Sequence, residues 1–236
     1  QLLRGGADEF IPYPLPENEL HNAVERLRKP APAAINPAQS QPISAPQPGE
    51  SRNGKVIAVH GLAGGTGATT LAVNLAWELA TLSKNNAPKV CVLDLDLQFG
   101  SVSTFLDLQR RDAVFELLTD TEHMDDESFY QALLVHEEEL YALTSPADVI
   151  PLDMIRPEDI SVILDLAKSR FDYVIVDMPT TLVQWTETVL NASKIYFATL
   201  EMDMRSAQNA LRMKRALQSE NLPFEKLRFV LNRAPK

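Results

Sequence analysis

Residues 61 to 70 read Gly61-Leu62-Ala63-Gly64-Gly65-Thr66-Gly67-Ala68-Thr69-Thr70. Gly64, Gly65 and Gly67 open backbone angles closed to other residues, so that successive N–H groups can converge on one phosphate. The β-branched run Val56–His60 precedes this loop and a helical pattern follows it. The helix N-terminus therefore adds its partial positive charge at the same point. Thr69 stands where strand–loop–helix phosphate sites carry a Mg²⁺-binding hydroxyl, and Thr70 where a hydroxyl meets the α-phosphate. The predicted chemistry is capture of a nucleotide's phosphates by Gly64, Gly65, Thr66, Gly67, Ala68, Thr69 and Thr70, with Mg²⁺ at Thr69. The competing reading is a degenerate loop that binds nothing.

Carboxylates end two further hydrophobic runs. Val90-Cys91-Val92-Leu93 leads into Asp94-Leu95-Asp96-Leu97-Gln98-Phe99-Gly100, and Tyr173-Val174-Ile175-Val176 into Asp177-Met178-Pro179. A carboxylate after a buried strand can serve as a hard oxygen ligand for Mg²⁺, which makes Asp177 the metal candidate. It can also simply open a loop. A third run, Phe229-Val230-Leu231, ends in Asn232-Arg233. Asn232 can donate and accept in one plane, as reading a base edge requires, or can fill a strand-end turn.

These motifs need a frame. Strands are expected over Val56–His60, Lys89–Leu93, Tyr173–Val176, Ile195–Leu200 and Leu227–Leu231, and helices over Thr69–Leu82, Pro157–Ser169, Leu182–Leu190 and Ser206–Ser219. Leu71, Leu75 and Leu79 share one face of the first helix; Ala207, Ala210, Leu211 and Leu217 are the candidate inner positions of the last. Such alternation gives an α/β domain, a mostly parallel sheet with helices on both faces, over residues 55–236. Ligands of such sheets bind at the carboxyl ends of the strands, where every motif above falls.

Residues 30–54 carry Pro30, Pro32, Pro37, Pro42, Pro46 and Pro48 among Ala, Gln and Ser, without apolar periodicity. This composition reads as a semi-extended linker. Before it, Leu20, Val24 and Leu27 share a helical face behind the short apolar pair Phe10-Ile11. The chain starts and stops in mid-pattern, as a piece of a longer protein would.

Hydrophobic residues make up 45% of the 236, enough for a sizeable core. The net charge of −10 disfavours non-specific binding to nucleic acid. Cys91 is the one cysteine, so a disulfide framework is excluded and a cytoplasmic setting fits; Cys91 itself reads as core. No apolar run approaches the ~18 residues that span a bilayer. His21, His60, His123 and His136 show no metal-ligand spacing and read as surface or packing residues. Glu137-Glu138-Glu139 reads as a solvated loop or helix end, and Trp77 and Trp185 as core or interface residues.

The loop resembles that of the MinD/ParA family of P-loop ATPases, which reads K-G-G-x-G-K-[ST]-[ST]. Ala63 and Ala68 replace its two lysines. In that family the second lysine neutralises the β- and γ-phosphates and the first reaches a partner's phosphates across a nucleotide-sandwiched dimer. The resemblance makes Asp94-Leu95-Asp96 the switch I loop, with Asp96 near the attacking water, Asp177 the Walker B carboxylate and Asn232 the adenine reader. It implies ATP or ADP with Mg²⁺ and a homodimer. Each lost lysine removes charge-assisted contacts of roughly 1.5–3 kcal/mol. The expectation is binding with at most slow hydrolysis.

Gly6-Ala7-Asp8-Glu9-Phe10-Ile11-Pro12-Tyr13-Pro14 is similar to the end of a response-regulator receiver domain, which implies a receiver-like remnant over residues 1–29. Tyr13 stands where that family has its phosphate-sensing lysine. Receiver-like tail, proline-rich linker, lysine-poor loop and D-L-D-x-Q-F-G together resemble the TadZ/CpaE branch. That implies a scaffold at the cell pole near the inner membrane, which positions a type IVb (Flp/Tad) pilus machine. Its partners would be a secretion ATPase and other assembly proteins, with membrane association only indirect. The alternative is an active MinD- or ParA-like ATPase of division-site placement or DNA partition. Against it stand Ala63, Ala68 and the acidic balance. A nitrogenase-reductase relative is set aside, because it needs cluster cysteines.

Overall fold

The computed structural model describes residues 51–83, 87–137 and 139–234, apart from the side chain of Glu122. The expected receiver-like tail and the linker as far as residue 50 lie outside these residues. In chain order the elements are β1 (Lys55–Gly61), α1 (Ala68–Ala80), β2 (Val90–Asp94), α2 (Val102–Phe105), α3 (Ala113–Thr119), α4 (Asp126–Ala132), β3 (Leu134–His136), β4 (Leu140–Leu143), α5 (Pro157–Arg170), β5 (Tyr173–Met178), α6 (Thr186–Ala192), β6 (Ser193–Leu200), α7 (Met204–Ser219) and β7 (Leu227–Leu231).

Seven strands form one sheet in the order β3-β4-β2-β5-β1-β6-β7. Every pairing is parallel except β3 with β4. β2, β5 and β1 sit inside the sheet with both faces covered, so they read as nearly unbroken apolar runs. Side chains alternate between faces: Val174 and Val176 of β5 join the larger core with α3 to α7, while Ile175 points to the smaller core under α1. Cys91 and Trp185 are fully buried, as expected.

The hairpin β3–β4 went unread in the sequence. Its strands are three and four residues long, too short for a period to emerge. Glu137 and Glu139 lie in its turn, and Glu137 takes φ 47°. Two helix faces also differ from expectation. On α1 the fully buried positions are Ala72, Val73, Ala76 and Ala80; Leu71, Leu75 and Leu79 flank them, partly buried. The alanines repeat every four residues, and their small side chains let the helix lie close on the sheet. On α7 the buried residues are Ser206, Met213 and Leu217, whereas Ala207 and Leu211 face outward. The Asp203 carboxylate caps this helix by accepting the Ser206 N–H at 2.6 Å. α6 starts later than expected. Residues 183–186 form a turn, closed by the Thr186 N–H on Val183 O at 2.9 Å, in which Thr186 Oγ1 accepts the Val183 N–H at 2.9 Å.

Candidate functional site

Strand register builds the site before any side chain is considered. Asp177 of β5 lies opposite Val59 of β1 on one side and Asp94 of β2 on the other. Two strand-end carboxylates are thereby set side by side, next to the loop that leaves β1.

That loop is closed by its own residues. Gly65 and Gly67 take φ 82° and 86°, the left-handed region that glycine enters without strain. Gly67 is also the residue before the first turn of α1. Thr66 is buried; its hydroxyl donates to Ala63 O at 3.0 Å and pairs with Thr199 Oγ1 at 2.9 Å. The Thr66 hydroxyl is taken up in pinning the loop to β6, so of this residue only the backbone is left for the expected phosphate contact. Gly64, Gly65 and Thr70 are exposed, and Gly67, Ala68 and Thr69 are half-buried. Gly65, Thr66, Gly67, Ala68, Thr69 and Thr70 line a groove of about 310 Å³ that also touches Ala63, Asp96, Ser101, Phe105, Thr180 and Arg233.

At the adjacent ends of β2 and β5 lie the acids. Asp94 is 1% exposed, its Oδ2 accepts the Val102 N–H at 3.0 Å, and its Oδ1 has no protein partner. Asp177 is equally buried and its Oδ1 is likewise unpartnered. Burial, then the Asp177 charge, pushes Asp94 up to about 8. Burial raises Asp177 to about 7; a hydrogen bond from Thr69 opposes this and the Asp96 charge adds to it. Asp96 is half-buried on the groove wall, its Oδ1 accepting the Phe99 N–H at 3.1 Å. Burial and mutual repulsion hold the charged forms of Asp94 and Asp177 down, and a cation bound beside them would favour ionisation.

Magnesium is bound by one or two carboxylates with phosphate and water completing its shell, rather than by an all-protein cage. The donors present fit that description: two converging carboxylates with orphaned oxygens, and the Thr69 hydroxyl beside Asp177. Among the described residues no group of three or more His, Cys, Asp or Glu is arranged to enclose a metal by itself. The backbone of the loop and the start of α1 fit a phosphate. Thr69, Asp177, Asp96 and the loop expected from the sequence therefore do come together.

Asn232 comes to the loop in a different posture from the one expected. Its Nδ2 donates to Thr66 O at 3.0 Å and its Oδ1 accepts the Arg233 N–H at 2.9 Å. A Cβ at position 67 would stand 2.4 Å from that Nδ2. Asn232 is thus a brace for the loop, and only its second hydrogen and remaining lone pairs are left for a base.

Four contributors escaped the sequence. Asp94 was read as a mere strand end. Gly100 is required by it, since a Cβ there would lie 2.4–2.6 Å from the Asp94 carboxyl atoms. Arg110 clamps the same loop, donating to Gly100 O at 2.6 Å, Ser103 Oγ at 3.2 Å and Pro146 O at 3.2 Å. Arg233 is the one cationic residue on the groove wall among the described residues. Only the Asn-Arg string pointed to it. His60, buried, bonds Tyr196 Oη at 2.7 Å and Thr180 O at 3.2 Å, and burial holds its pKa down, so it packs as expected.

Known proteins are similar to this chain in sequence and in fold. A family model described as AAA domain matches residues 54–221. The septum site-determining protein MinD of Thermotoga maritima is 26% identical over 182 residues, 76% of this chain and 64% of that protein. MinD of Bacillus subtilis is 27% identical over 183 residues, 76% and 65% of the two chains. The sporulation initiation inhibitor protein Soj of Bacillus subtilis is 29% identical over 147 residues, 59% and 55%. The chain spans at most 65% of the length of these relatives. In structure, a ParA family ATPase from Chlorobium tepidum TLS superposes with a TM-score of 0.66 at 22% identity, covering 76% of this chain and 74% of that one. MinD from Pyrococcus horikoshii, complexed with Mg-ADP, gives 0.61 at 20% identity, covering 76% and 70%. Both structural likenesses speak to the fold.

Proposed function

The chain belongs to the AAA domain family, within the MinD/ParA superfamily of P-loop ATPases, and from that premise we propose that it is a nucleotide-binding scaffold with slow or absent hydrolysis. The observation that carries this reading is the coexistence of a phosphate groove and an orphaned acid pair with alanine at positions 63 and 68. The loop backbone holds the phosphates of ATP or ADP. Thr69 and Asp177 would hold Mg²⁺, whose charge would offset that of the carboxylates and the phosphates. By the family resemblance, Asp96 would orient the attacking water in whatever hydrolysis occurs. Charge at the γ-phosphate is stabilised poorly without lysine, and phosphoryl transfer depends on that electrostatic stabilisation.

A homodimer through the groove face belongs to the same reading. Phe99, Phe105, Leu182 and Met202, in α2 or in loops after the strand ends, are exposed apolar side chains that a partner could cover. The finer assignment is a localising role in type IVb pilus assembly beside a secretion ATPase. It rests on D-L-D-x-Q-F-G, the lysine-poor loop and residues 1–54, read as receiver-like remnant and linker. The complete acid cluster favours a second reading, an active ATPase of septum placement or partition. Calorimetry with ATP, ADP and Mg²⁺ tests the core of the proposal. Binding is expected, with its Mg²⁺ dependence weakened in Asp177→Ala. No heat and no thermal shift at millimolar nucleotide would refute it.

A further inference from the structure

A groove built for a polyphosphate should contain a cation, and the loop supplies none: Ala63 is buried and Ala68 is half-buried on the wall. The charge that is present comes from the far end of the chain. Arg233 follows β7, takes φ 50°, and has its N–H fixed by the Asn232 carboxamide. Its guanidinium Nη1 donates to Gly65 O at 3.3 Å and to Glu201 Oε1 at 2.5 Å. It thus rests on the rim of the phosphate loop, held back by a carboxylate from the end of β6.

We propose that Arg233 is the phosphate-contacting cation of this site, and that Glu201 parks it until a polyphosphate competes it away. The inference rests on the nucleotide-binding reading above. The parked pair is weak, because the Arg233 side chain is 67% exposed and Glu201 26% exposed. Such pairs contribute little and exchange readily. A polyphosphate carries more charge than one carboxylate, and its oxygens match the guanidinium fork in two-point contacts. The long side chain needs only rotamer changes to move from the rim into the groove, since its backbone is already braced by the same Asn232 that holds the loop. The arrangement also makes an energetic demand: nucleotide must outcompete Glu201, which disfavours ligands with little phosphate charge.

The test is calorimetry with ATP and with ADP, each with Mg²⁺, on wild type, Arg233→Ala, Arg233→Lys and Glu201→Gln, with thermal melts confirming that each variant is folded. Arg233→Ala should weaken ATP binding tenfold or more, and Arg233→Lys should recover part of the loss. Glu201→Gln should tighten binding severalfold, because it frees the arginine. An Arg233→Ala affinity within twofold of wild type overturns the inference while leaving the nucleotide reading intact. So does a Glu201→Gln variant that fails to bind more tightly. A wild type that binds neither nucleotide at millimolar concentration overturns the nucleotide reading and this inference with it.

Discussion

Gly100→Ala is the substitution that couples fold to site most directly. The new methyl would lie 2.4–2.6 Å from Oδ1, Oδ2 and Cγ of Asp94, well inside any tolerated contact. Asp94 has little freedom to withdraw: it is 1% exposed, hydrogen-bonded to the Val102 N–H and flanked across the sheet by Asp177. Retreat of the carboxyl group breaks its hydrogen bond to Val102, a contact worth ~0.5–1.5 kcal/mol. Retreat of the loop instead disturbs the Arg110 clamp on Gly100 O. Overpacking of a tight interior costs ~1–3 kcal/mol, so a total of about 2–4 kcal/mol is expected. In a domain of this size each kcal/mol lowers Tm by roughly 2–4 °C, which gives a drop of about 4–16 °C. Differential scanning calorimetry without nucleotide or Mg²⁺ measures it. The double variant with Asp94→Ala isolates the cause, because the loss from Gly100→Ala should fall below ~1 kcal/mol once the carboxylate is gone. A Gly100→Ala Tm within 2 °C of wild type, or an equal loss in both backgrounds, would refute the reasoning.

Asp94→Asn should stabilise the metal-free protein in a pH-dependent way. Folding raises the Asp94 pKa from 3.8 to about 8, so the stability of the neutral form is fully present below pH ~4 and is lost as pH rises through the folded value. The variant should therefore match wild type near pH 4 and melt several degrees higher near pH 8; a gap that is constant with pH argues against the buried charge. Ala68→Lys should raise phosphate release at least tenfold above a wild-type rate that lies far below the ~10 per second of typical enzymes. A wild-type rate near that figure would show that another cation already serves. In light scattering, the mass should be the same with and without ATP, because Ala63 cannot reach a partner's phosphates. A monomer that dimerises only with ATP would contradict this.

Legibility in the sequence followed chain distance. The strand Lys55–Gly61, the loop and helix α1 are contiguous, so glycine spacing and hydroxyl positions alone placed Thr69 at the helix start. The apolar runs before Asp94 and Asp177 likewise announced buried parallel strands, because covering both faces leaves no polar alternation to confuse the period. Helix faces were less readable. Leucine spacing drew attention to Leu71, Leu75 and Leu79, whereas the sheet accepted the alanine stripe at 72, 76 and 80, and hydropathy alone does not encode how closely two elements approach. What only the tertiary structure decided are the encounters between distant segments. Strand order and register set Asp94 against Asp177, and that adjacency turned an apparent strand end into half of an acid pair. Packing of β7 beside β6 brought Asn232 to a carbonyl 166 residues earlier in the chain. The same packing set Arg233 on the rim of the loop, paired with Glu201. A local pattern fixes what a loop can hold, but the charge that reaches it from another strand depends on sheet order, which no local pattern carries.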